Sequence, residues 1–293
     1  MFPRIVSIVF PLFAVVMAGF FYARKRDPDM AAANRMNIEI FLPALIFTAL
    51  AGKSFDLAGN LPIALGAAVV ILGSGLLAWP LARRLGIEPR ALVSTAMFNN
   101  AGNMGLPLML FTFGDPALGA AVVLMLVLTT LQFVMSPWLL GGKFSLGALW
   151  REPFLLAASL GVAVSLAGVA PWPPVLSACK LLADISLGLM IFSLGARLAS
   201  ARVGAMFGIG IAGAIVTPVT GMFMAWLFGT LADLSKPDMD VLFLFGALPP
   251  AVSCFIFADR YRCAPDQVAA IVMIGNASAL FFIPLALTLC FRG

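Results

Sequence analysis

The chain has 293 residues, 62% of them hydrophobic and 11% charged, with a net charge of +5 and a mean hydropathy of +1.06. A water-soluble domain carries about 45–50% apolar and about 25% charged residues, so the composition excludes a soluble fold. The absence of histidine excludes imidazole bases, histidine metal ligands and Ser-His-Asp triads.

A helical span takes roughly 20 apolar residues, so ten spans use about 200 and leave about 90 for ends and loops. That remainder is too small for an appended ATPase or kinase, and no Walker-type phosphate loop occurs. The first apolar run, 5–22, is followed by Arg24-Lys25-Arg26 rather than preceded by it, which marks a retained span and not a signal peptide. Apolar windows then fall near 3–22, 36–51, 60–82, 90–114 and 117–140, and again near 153–170, 175–197, 203–230, 240–258 and 266–291. The expected fold is an all-α integral membrane protein with ten transmembrane helices in one domain spanning 1–293. Its four cysteines stand in apolar surroundings without C-x-x-C spacing and read as small core residues. Neither cofactor nor metal nor nucleic acid is expected as a partner; the lipid bilayer is.

The two halves, about 1–145 and 150–293, echo each other. Leu42-Pro-Ala-Leu-Ile-Phe47 resembles Leu187-Gly-Leu-Met-Ile-Phe192 at an offset of 145, which also maps Arg35 on Lys180 and Glu39 on Asp184. Pro137 maps on Pro284 and Thr129 on Asn276 at an offset of 147. Five spans per half is an odd number, so the halves must be inverted repeats. With ten spans both termini share a side, and 13 of the 18 Lys and Arg residues fall on the opposite one. The positive-inside rule makes that opposite side the cytoplasm and puts both termini outside.

The fourth span carries Phe98-Asn-Asn-Ala-Gly-Asn-Met-Gly-Leu-Pro107 in its middle. Three amides, two glycines and a proline are poor material for a continuous helix, and freed backbone groups at membrane depth are tolerated only inside protein or beside a cavity. The ninth span repeats the device as Gly246-Ala-Leu-Pro-Pro-Ala-Val-Ser253. Aligning Pro116 with Pro265 places Pro250 opposite Ala101, so both breaks fall at corresponding positions. Matched breaks point to a midplane site whose half-helix N-termini suit a carboxylate. Asn99, Asn100 and Asn103 are expected to add amide donors and acceptors to that site, with Gly102 and Ser253 of the same two breaks beside them.

Asn100-Ala-Gly-Asn-Met-Gly-Leu-Pro-Leu108, together with the Leu-Pro-Ala-Leu segment before Phe47, resembles the auxin efflux carrier family, which includes bacterial organic-acid permeases and the plant PIN carriers. The likeness extends over essentially the whole chain. It implies broken helices four and nine that cross, substrate binding at the crossing by Asn99, Asn100, Asn103, Pro107, Pro249 and Pro250, a fold shared with sodium–bile acid symporters, an elevator-like cycle and a homodimer. The chain lacks the long hydrophilic loop of the long PIN proteins, so a compact prokaryotic inner-membrane permease for a mono- or dicarboxylate such as malonate or malate is expected, rather than an auxin carrier.

Glu39 and Asp184 each follow a basic residue by four, Arg35 and Lys180, which puts each pair on one helix face. They read either as interfacial ion pairs or as proton-coupling carboxylates. Asn99, Asn100, Thr129, Thr130, Gln132, Asn276 and Ser278, with freed carbonyls, are the oxygens a sodium site would draw on, and they read equally as interhelical hydrogen-bonding residues. The functional expectation is a secondary transporter of a small organic anion, coupled to H+ or Na+. A bile-acid-type sodium symporter, or a channel or sensor using the same pocket, are the rival readings, and no enzyme activity is expected.

Overall fold

The computed structural model describes residues 2–26, 28–51, 56, 58–141, 152–200 and 206–292. Lys53, Lys143, Arg151 and Arg202, and the start of the expected 203–230 span, lie outside these residues. The described chain is helical throughout, without strands.

Helix α1 is Phe2–Arg26. Met30–Met36 (α2) runs through a π-helical turn, Asn37–Phe41, into Leu42–Leu50 (α3). Leu61–Leu85 (α4) ends on Gly86, which takes the left-handed conformation a helix C-cap asks for. Pro89–Met97 (α5) is separated by Phe98–Asn100 from a second π turn, Ala101–Gly105, and from Leu106–Phe113 (α6). Leu118–Leu140 (α7) completes the first half. The second half holds Pro153–Leu166 (α8), Pro173–Ser200 (α9), Phe207–Leu231 (α10), Lys236–Gly246 (α11), Ser253–Arg260 (α12) and Pro265–Arg292 (α13).

Among the described residues, six stretches are long and apolar enough to cross a membrane: Pro3–Arg26, Leu61–Leu85, Asp115–Leu140, Pro173–Ala199, Phe207–Leu231 and Pro265–Phe291. The rest of the expected spans are built from shorter pieces on either side of a π turn or a break, or, in α8, from a single helix of 14 residues.

The helices sort into two groups by what they touch. One joins α1 to α9 and α3 to both α8 and α9. The other joins α4 to α5, α7 and α10, and α10 to α5, α11 and α13. The α1–α9 crossing is made of glycine on both sides. A Cβ at Gly195 would overlap the Val16 carbonyl, and one at Gly19 would overlap the Phe192 carbonyl. In lipid, where apolar side chains gain little by leaving their solvent, such close backbone approach is a main source of helix affinity.

The structure narrows one expected break to the first residues of its stretch. Pro107 does not end a helix; it follows directly on the π turn, in a helix that runs on from Ala101 to Phe113. The π turn just before it, closed by the Leu106 N–H on the Ala101 carbonyl, widens the backbone where the proline ring would crowd the preceding turn. The interruption lies upstream, at Phe98–Asn100.

Candidate functional site

The two breaks meet. Phe98 is extended, with φ −110° and ψ 95°, and Asn99 pairs with Pro250 as an isolated antiparallel bridge. The Asn100 N–H donates to the Pro249 carbonyl at 2.7 Å, and the Ala251 N–H donates to the Phe98 carbonyl at 2.9 Å. Each unwound segment thus supplies the partners that the other lacks, which is what non-helical backbone needs at membrane depth. The adjacent prolines suit this arrangement because neither carries an N–H to satisfy.

Buried side chains brace the crossing from both sides. The Asn100 amide donates to Asn276 Oδ1 at 2.9 Å. Asn276 Nδ2 donates to the Pro250 carbonyl at 3.0 Å and to the Val272 carbonyl at 2.8 Å. From α7, Gln132 Oε1 accepts from the Ser253 hydroxyl at 2.9 Å. The Cys254 thiol reaches the Phe98 and Ser94 carbonyls at 3.4 and 3.5 Å.

Asn99 is different. Its Nδ2 donates to the Phe245 carbonyl at 2.7 Å, a carbonyl freed where α11 ends. That bond fixes the amide so that Oδ1 is the free end, and this oxygen is buried without a protein partner. Next to it the π turn begins with no side-chain cap, so the first N–H groups of Ala101–Gly105 have no intrahelical acceptor. Helix α12 also begins uncapped at Val252.

These groups line a cavity of about 430 Å³. Of the expected binding residues, Asn99, Asn100, Gly102, Asn103 and Ser253 come together on its wall. Asn103 is half-buried and makes no side-chain hydrogen bond; a Cβ at Gly102 would meet only Met125 Sδ, at 3.8 Å, so the backbone there is open to the cavity. Pro107, Pro249 and Pro250 shape the backbone behind the wall and do not line it.

Of the expected ion-coupling residues, Thr129 lines the cavity and Asn276 sits in the crossing itself. Glu39 is exposed on the first π turn and lines no described cavity. Asp184 lines a separate cavity of about 270 Å³ at the opposite end of α9, with Lys180, Asp115, Thr48 and Asn60. The structure therefore does not bring the four together. Neither Arg35–Glu39 nor Lys180–Asp184 closes as an ion pair; in the first case the π turn changes the register between the two side chains.

Sequence reasoning passed over several cavity residues. Asn37, buried and accepting from Ser186 at 2.8 Å, lines the cavity from the other helix group. Arg197, Arg260 and Glu152 stand at its mouth, at the ends of α9 and α12 and the start of α8. Burial raises the Glu152 carboxyl above its ordinary value of 4.5. All three fall in stretches that read from sequence as connections, and only a Glu-Pro helix start offered a signal.

Residues 4–147 and 135–287 match the family described as membrane transport protein, the auxin efflux carriers. The chain belongs to this family. Relatives 26% identical over 277 residues, covering 86% of this chain and 87% of theirs, are the uncharacterized transporter YfdV of Escherichia coli strain K12 and the proteins of the same name in E. coli O157:H7 and Shigella flexneri. Family membership makes the chain a multi-pass membrane transport protein, and the crossing carries the Asn/Gly/Pro sequence that resembles the auxin efflux carriers.

Proposed function

We propose that the chain is a secondary transporter of a small organic anion, built of ten spans in two inverted five-span halves within one domain, with its binding site at the crossing. The observation that carries this reading is the buried, unpartnered Oδ1 of Asn99 beside an uncapped helix start. The free N–H groups and the positive end of the helix dipole favour a carboxylate, by about 0.3–1 kcal/mol at an exposed helix end and up to about 2 kcal/mol when partly buried. The Asn99 oxygen asks for a donor alongside that carboxylate. A hydroxy acid such as malate, or a dicarboxylate such as malonate holding one proton, supplies both.

Several features support the architecture. The helix contacts come in exchanged pairs: α1 on α9 in one half corresponds to α8 on α3 in the other. The main-chain bonds at the crossing tie both breaks into one body, while α1, α3, α8 and α9 form a separate group against which that body can slide in an elevator-like step. Arg197 and Arg260, which line the cavity, belong to the basic connections that the positive-inside rule assigns to the cytoplasm, with both termini outside.

The same Asn99 oxygen favours a second reading, a sodium-coupled symporter, because a bare buried acceptor also suits a hard cation. One experiment separates them. Purified protein in proteoliposomes on a solid-supported membrane is given malonate, malate or indole-3-acetate, without and then with sodium. Saturable currents in sodium-free buffer support the first reading, and currents that need sodium support the second. Conductance that does not saturate overturns both in favour of a channel.

A further inference from the structure

A second cleft lies between α1 and α9 on one side and α10, α12 and α13 on the other. It has two lobes of about 440 and 500 Å³ that share Leu194, Leu198, Met273 and Asn276. The first lobe is walled almost wholly by apolar side chains and opens sideways between Met17, Phe207 and Leu280, which are 44%, 57% and 59% exposed. At this depth the surrounding medium is lipid, so the lobe opens to acyl chains.

Positive charge stands beside the same lobe. Phe20 lines the cleft, and the Arg24 guanidinium lies 5.6 Å from the centre of its ring. Lys25 and Arg26 follow, and α1 ends there. All three are exposed, and none is in an ion pair among the described residues.

We propose that this cleft binds one anionic phospholipid of the cytoplasmic leaflet, with its phosphate on Arg24, Lys25 and Arg26 and an acyl chain between α1 and α13. Charge complementarity selects the occupant. Any phospholipid can offer a chain to the apolar lobe, but only an anionic headgroup gains from the basic cluster, by roughly fivefold in affinity per Lys or Arg near the surface. The chain lies between the two helix groups, so its presence sets how closely they approach.

The test needs no transport substrate and therefore fails or succeeds separately from the transport reading. Delipidated protein in detergent is titrated with phosphatidylglycerol or phosphatidylcholine of identical chains, and retained lipid is counted by native mass spectrometry. The wild type is expected to retain one phosphatidylglycerol with at least a tenfold preference. Arg24→Gln, on an exposed side chain, is expected to lower phosphatidylglycerol affinity about fivefold and leave phosphatidylcholine unchanged. Ala277→Trp, which fills the first lobe, is expected to lower retention of both lipids, and Met17→Trp fills it from α1 should the first variant not fold. Equal retention of the two lipids by the wild type overturns the proposal. So does a preference that survives substitution of all three basic residues by Gln, retention unaffected by filling the cleft, or a free fatty acid found there in place of phospholipid.

Discussion

Asn276→Leu tests the crossing most directly. The substitution preserves size and removes three hydrogen bonds: one accepted from Asn100 and two donated, to the Pro250 and Val272 carbonyls. The Val272 carbonyl lies inside α13 and keeps its helical role, so two buried groups lose their side-chain partner, Asn100 Nδ2 and the Pro250 oxygen. At about 1–2 kcal/mol for each orphaned group the cost is about 2–4 kcal/mol. Counting instead three membrane hydrogen bonds at about 0.6 kcal/mol each gives about 2 kcal/mol, at the low end of the same range. For a chain of this size about 2 °C is lost per kcal/mol, so Tm is expected to fall by about 4–8 °C. The assay is built into the protein, because Cys254 lies under the crossing at 1% exposure and Cys290 is buried at 5%. With the half-exposed Cys179 and Cys263 replaced by Ser, a maleimide that fluoresces on reacting with thiols reports the temperature at which the two buried ones become accessible. Asn276→Asp sharpens the test: it keeps the acceptor for Asn100 but turns a carboxylate oxygen towards two carbonyls, so its Tm falls further at neutral pH and partly recovers in acid. An unchanged Tm in Asn276→Leu would refute the idea that side-chain bonds hold the breaks together.

Four further outcomes follow from the same geometry. Asn99→Leu removes the buried unpartnered acceptor in the cavity wall together with the bond to the Phe245 carbonyl, and is expected to lower organic-anion counterflow at least tenfold, or about 1.4 kcal/mol of binding, at a cost of about 1–2 kcal/mol in stability; unimpaired counterflow moves the binding site elsewhere. Gly195→Leu drives a side chain into the Val16 carbonyl, and loss of a monodisperse peak on size-exclusion chromatography is the expected result, whereas normal elution would show that the α1–α9 crossing yields. Glu152, raised on folding, lends stability while protonated and loses it as pH rises through its folded value. As pH rises above the ordinary value of 4.5 the wild-type Tm is thus expected to drop relative to Glu152→Gln, and parallel pH profiles would contradict this. In intact cells a membrane-impermeant maleimide should reach Cys179, near the outer cavity, and reach Cys263 only after permeabilisation; the reverse pattern inverts the orientation.

The break at 98–107 was legible because its residue types are individually poor in helices and were gathered in one apolar run. The adjacent prolines at 249 and 250 announced the second break for the same reason. Asn276 was found by its offset from Thr129, yet its service to Asn100 and Pro250 was not visible, since a hydrogen bond between residues 176 apart leaves no local pattern. The π turn at Asn37–Phe41 was invisible too: its composition is that of an ordinary helix, and its extra residue arises from how α2 and α3 sit on α9. That turn is why the spacing of Arg35 and Glu39 misled. The mouth residues Glu152, Arg197 and Arg260 escaped notice because charge at a span end has an everyday explanation, and only the folded chain brings three such ends around one opening.

The pairing of Asn99 with Pro250 is made by main-chain atoms alone. A frame of that kind makes few demands on the side chains it displays. Asn103 and Val252 line the cavity without bracing the crossing, so those positions can be exchanged while it stays closed, and the fold separates what holds the crossing from what is free to vary. A lineage built on such a frame acquires new cargo by small steps at the wall, without having to reinvent the machine that carries it.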